Sequence, residues 1–77
     1  MTDPVTGLTG TMTSPIRDSG ALGEVLVAIR GGTESYIARA QEPIAAGTSV
    51  LIIAAHPGRI VDVVPWVPLT PGPVEDI

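Results

Sequence analysis

The only imidazole in the chain is His56, and the serines it could activate are Ser14, Ser19, Ser35 and Ser49. Nucleophilic catalysis needs a hydroxyl within hydrogen-bond reach of a base that a third group holds in place. His56 stands in a His56-Pro57-Gly58 turn, where an imidazole is ordinarily solvated, and no Gly-x-Ser-x-Gly elbow occurs. Metal chemistry finds no better footing. There is no cysteine to supply a thiolate, and one histidine cannot build a nitrogen-ligated site alone. The carboxylates Asp3, Asp18, Glu24, Glu34, Glu42, Asp62, Glu75 and Asp76 are scattered, without the spacing of a calcium loop. A phosphate loop would need a Gly-x-x-x-x-Gly-Lys motif, and the chain has no lysine. The expectation is a protein without catalytic residues, cofactor or metal.

Nucleic acid is the next chemistry to weigh. Single-strand sites combine a basic groove with stacking aromatics, and phosphate neutralisation needs clustered cations. Arg17, Arg30, Arg39 and Arg59 face eight carboxylates, a formal net charge of -4, and the only aromatics are Tyr36 and Trp66. Charge therefore argues against nucleic acid. Aromatic and arginine side chains also anchor protein interfaces, which makes Tyr36, Arg39 and Trp66 the candidate protein-contact residues. The competing roles are structural: Tyr36 covering a sheet and Trp66 plugging one end of a barrel. The Pro65-to-Pro68 and Pro68-to-Pro71 stretches read as P-x-x-P, but without flanking basic residues they make weak ligands for SH3-type grooves.

These side chains must be positioned by a small scaffold. The chain has 77 residues, 44% of them hydrophobic, with no phenylalanine. That is one domain with an aliphatic core, at a size where oligomerisation often adds support. Every helical pattern is broken by Gly or Pro, so strands dominate. Leu8 to Thr13 is Thr-rich and reads as a first strand with a bend or bulge at Gly10. Glu24 to Arg30 alternates cleanly, with Val25, Val27 and Ile29 on the core face. Gly31-Gly32 suits a tight hairpin into Thr33 to Ala40, where the buried face is undecided between Tyr36, Ala38, Ala40 and Ser35, Ile37, Arg39. Gln41 to Gly47 is a connector with room for one helical turn. Thr48 to Ala55 is the most apolar strand, expected to be buried on much of both faces, with Val50, Ile52 and Ala54 alternating with Leu51, Ile53 and Ala55. Arg59 to Val64 completes the set. Five short strands in so small a chain predict an all-β fold: a five-stranded closed OB-like β-barrel without a long helix.

The longest unbroken apolar run, Val50 to Ala55, is far short of the roughly 20 residues of a spanning helix, and Met1-Thr2-Asp3-Pro4 carries no signal-peptide features. No direct membrane insertion by this chain is expected. The domain reading is a disordered segment over residues 1–6, a barrel over 7–65, and a Pro-rich extended or disordered tail over 66–77.

In their order and spacing these segments resemble the C-terminal soluble domain of NfeD-like proteins. The resemblance is carried by Gly10 in the first strand, Gly23-Glu24-Val25 opening the second, and Tyr36-Ile37-Ala38-Arg39-Ala40 closing the third. It continues with Ile44 through Ile53 leading into the fourth, where Ile44, Gly47 and Val50 match an I-x-x-G-x-x-V pattern, and with Arg59 to Pro65. It implies a non-enzymatic interaction module that follows a transmembrane anchor absent from this chain, at the cytoplasmic face. The implied partners are stomatin, prohibitin or flotillin-type scaffold proteins, with self-association as a second mode. The protease activity of long family members belongs to a different domain and is not carried over. An OB-fold that binds single-stranded nucleic acid is the alternative.

Overall fold

The computed structural model describes residues 5–29 and 31–66. Five strands follow in chain order: β1 (Thr9–Ser14), β2 (Leu22–Ile29), β3 (Gly32–Arg39), β4 (Ser49–His56) and β5 (Ile60–Pro65). They close into a barrel in the order β1-β2-β3-β5-β4, with β4 returning to β1. All pairings are antiparallel except β3 with β5, which is parallel. The fold is the all-β, five-stranded closed barrel that the alternation predicts. Among the described residues no helix is long and apolar enough to cross a membrane.

Period-two alternation decides what is inside. Met12 of β1, Val25 and Val27 of β2, Ala38 of β3, Val50 and Ile52 of β4, and Val61 and Val63 of β5 are all buried. On β3 the undecided face resolves: Tyr36, Ala38 and Ala40 turn inward, and Ile37 and Arg39 turn out. Trp66 does not plug the barrel, since it lies 41% exposed just past β5. Smaller residues close the ends. Ile16 and Ile44 exchange both backbone hydrogen bonds at 2.8 Å and are buried at the end where β1 finishes. Val5, in the segment the sequence places outside the barrel, is buried beside Tyr36, Ala55 and Val61. The expected disorder of residues 1–4 and of the tail from Val67 onward concerns positions outside the described residues.

Local geometry departs from the sequence reading at four points. The irregularity of β1 falls between Met12 and Ser14 rather than at Gly10. Gly10 is instead a point of close approach: a Cβ there would stand 2.8 Å from the Leu26 carbonyl oxygen and 2.8 Å from Val25 Cγ2. Ile29 pairs with Gly32, so Gly32 already belongs to β3 rather than to the turn. The 41–47 connector forms no helical turn, because its backbone groups bond back to the start of the chain: Ile44 exchanges both bonds with Ile16, and Gly47 donates to the Met12 carbonyl at 2.7 Å.

The fourth departure is in β4. Its register against β5 shifts between Ile52 and Ala54, so Ile53 is an inserted residue. Val50 and Ile52 face in, Ile53 is 51% exposed, and Ala55 rather than Ala54 packs on the core. The strand is thus buried on one face, not two, and its parity changes midway. An inserted residue leaves two neighbours on the same side of the strand.

Val27→Asp, which places an unpaired charge at a fully buried position, should cost more than about 4 kcal/mol and abolish the cooperative thermal melt. Gly47 holds φ at 87°, so Gly47→Val should cost about 1–3 kcal/mol in urea unfolding. Wild-type stability in either variant would contradict the assigned core face or connector geometry.

Candidate functional site

Tyr36 and Arg39 lie on β3 three positions apart, and odd spacing puts them on opposite faces of the strand. Tyr36 packs half-buried against the core while Arg39 is exposed. Trp66 follows β5, its N–H donating to the Ser49 carbonyl at 2.9 Å. The structure therefore gathers different neighbours around each of the three rather than joining them in one patch.

Arg39 pairs in register with Asp62 of β5. Its Nε donates to Asp62 Oδ1 at 2.9 Å, while the other carboxylate oxygen, Oδ2, lies 2.8 Å from His56 Nε2. Arg39 Nη2 approaches the same imidazole nitrogen at 3.5 Å. The bulge at Ile53 creates this group. Without it, His56 would share a face with Val50 and Ile52 and point into the core; with it, the imidazole emerges beside Asp62. The hydrogen bonds from His56 and Arg39 hold the Asp62 carboxyl below its ordinary range. A shallow groove runs past it, lined by Arg39, Glu42, Ile53, Asp62 and Val64 among others.

Tyr36 belongs to a second cluster. The Arg59 guanidinium lies 4.6 Å from the Tyr36 ring centroid and donates to Glu34 Oε1 at 2.7 Å and to the Ser35 carbonyl at 3.0 Å. The bond to Glu34 raises the pKa of Arg59 further still, so its charge is permanent.

The sequence reading misses His56, Asp62 and Arg59 as members of these clusters. An outward-facing Asp62 in an apolar strand was a usable signal, but the parallel pairing that brings Arg39 to it leaves no mark in the sequence. A His–Asp pair is half of a general-base arrangement. His56 Nε2 donates to Asp62, Arg39 Nη2 lies 3.5 Å from it, and no serine hydroxyl is bonded to it among the described residues. Among the described residues no group of three or more His, Asp or Glu side chains could hold a metal ion.

A depressed Asp62 pKa means that the folded state favours the carboxylate. Its contribution to stability is complete above the unfolded-state value of about 4, and it disappears as pH falls through the lower folded-state value. Asp62→Asn should flatten this acid limb in urea unfolding measured from neutral pH downward. An unchanged limb would show that Asp62 does not carry it.

The model of the NfeD C-terminal domain family matches residues 9–64. Among solved structures, the soluble domain of the NfeD protein YuaF from Bacillus subtilis is similar in fold. It superposes with a TM-score of 0.74 at 28% identity, over 87% of this chain and 80% of that one. No curated protein matches. The matched span runs from the first strand to the last, and on that ground the chain belongs to the NfeD C-terminal domain family.

Proposed function

We propose that this barrel is a non-enzymatic docking module of an NfeD-like membrane protein, and that its partner is a stomatin, prohibitin or flotillin-type scaffold protein. One observation carries the reading: the outward face of β2, β3, β5 and β4 sets aliphatic side chains around a fixed ion network. Leu22 is 57% exposed and pairs in register with Arg39; Ile37, Ile53 and Val64 are exposed on the same strands. An apolar surround with a charged centre is a common anatomy of transient interfaces. The interior offers no competing site, because it is filled with Val, Ile, Met and Ala side chains. Attachment at the cytoplasmic face through an anchor outside this chain belongs to the same proposal.

Arg39 suits this role better than Tyr36 or Trp66, because it is both exposed and immobilised by Asp62. Single-stranded nucleic acid is disfavoured. Of the described arginines, Arg39 and Arg59 are already committed to carboxylates, which leaves little to neutralise phosphate.

The test is capture of a purified scaffold protein of this class by the 77-residue chain, compared with Arg39→Glu and Ile53→Asp. Both positions are exposed, so each variant should keep its melt within about 1 kcal/mol of wild type. Capture should fall at least about tenfold, the effect of losing roughly 1.4 kcal/mol of contact energy. Undiminished capture by both variants would move the interface elsewhere, and no capture by the wild-type chain would defeat the docking proposal.

A further inference from the structure

The β3–β5 seam is short and leaves much of β3 without a neighbour on that side. β5 pairs with β3 only over Ile37, Ala38 and Arg39, although β3 begins at Gly32. From Gly32 to Tyr36 the strand is laddered to β2 on one side and has no β5 register on the other. Residues on one strand point their backbone groups alternately to the two sides. Ile37 donates its N–H to the Arg59 carbonyl at 2.8 Å, so Ser35 and Thr33 turn their backbone groups toward the same open side.

Arg59 stands where the next rung would be. In a parallel ladder, the residue whose carbonyl accepts from Ile37 would also donate its own N–H to the Ser35 carbonyl. The backbone cannot do this, because it has left the strand direction in a turn with Gly58 at φ 86° and Arg59 at φ 60°. The Arg59 side chain supplies the donor in its place: Nη2 reaches the Ser35 carbonyl at 3.0 Å. It is held there by Glu34 Oε1 at 2.7 Å and by the Tyr36 ring at 4.6 Å. Consecutive residues of β3 thus grip one guanidinium. Arg59 is also the only non-glycine with positive φ among the described residues. A side chain kept in a backbone conformation that glycine would adopt more easily points to a role for the side chain itself.

We propose that Arg59 is a clasp that replaces the missing rung and keeps the Gly32–Tyr36 edge from adding another strand. Unguarded strand edges recruit partners. The strand best matched to this edge is the same edge of a second copy, because antiparallel pairing about a two-fold axis is self-complementary. The clasp is therefore what separates a closed barrel from an edge-paired dimer.

Arg59→Gly removes the guanidinium while relieving the backbone strain, so it isolates the clasp from the turn. The expected result has two parts: faster hydrogen exchange at the Ile37 amide, and a mass in sedimentation equilibrium that rises with concentration toward about twice the wild-type value. Adding Thr33→Pro, which removes an edge donor, should return the mass to that of wild type. If Arg59→Gly does not fold, Glu34→Ala, which frees the guanidinium at an exposed position, should give the same changes to a smaller degree. Wild-type exchange and wild-type mass in a folded variant would overturn the proposal, as would self-association that Thr33→Pro leaves intact. Scaffold capture is read separately and decides nothing here.

Discussion

Closure of the barrel rests on β1, which is laddered on both edges. Gly10 pairs with Val27 of β2 and with Val50 of β4, and Thr11 pairs with Leu26 and with Ser49. This short strand must pass close to its neighbours, and Gly10 permits it, because any side chain there would meet the Leu26 carbonyl and the Val25 methyl. Once β1 closes the circuit, every second residue of the strands is directed into one enclosed volume. Val, Ile, Met and Ala fill it without an aromatic at the centre.

A filled aliphatic interior leaves the chemistry of the molecule on its outside. There the charged groups are not evenly spread. Arg39 of β3 joins Asp62 of β5, and Arg59, just before β5, joins Glu34 of β3. Both ion pairs cross the same seam, the parallel and short β3–β5 pairing. Parallel pairs are slightly weaker per residue than antiparallel ones. Side-chain bonds across this seam supplement its backbone rungs, and they also fix the long arginine side chains that an interface would use.

The bulge at Ile53 couples fold and surface in a similar way. By inserting one residue it turns Ala55 to the core and brings His56 out to Asp62. The same insertion exposes Ile53 beside the groove that contains Arg39. One local irregularity thus sets both an apolar and a charged feature of the same outer face.

Much of the barrel was legible in the chain itself. The alternation of Val25 and Val27, the breaks at Gly and Pro, and the lack of large side chains dictate strands, their number and a small closed fold. Propensity and period-two burial are local properties, and they survive from sequence to structure. What crosses the barrel was not legible. The parallel register of Arg39 on Asp62, the Arg59 contacts with β3, the parity change at Ile53 and the closing of the barrel ends by Val5, Ile16 and Ile44 rather than Trp66 all depend on distant segments meeting. The sequence determined which faces each strand would offer. Only the tertiary structure decided which faces meet, because register between remote strands is set by closure of the whole circuit and not by any residue within one of them.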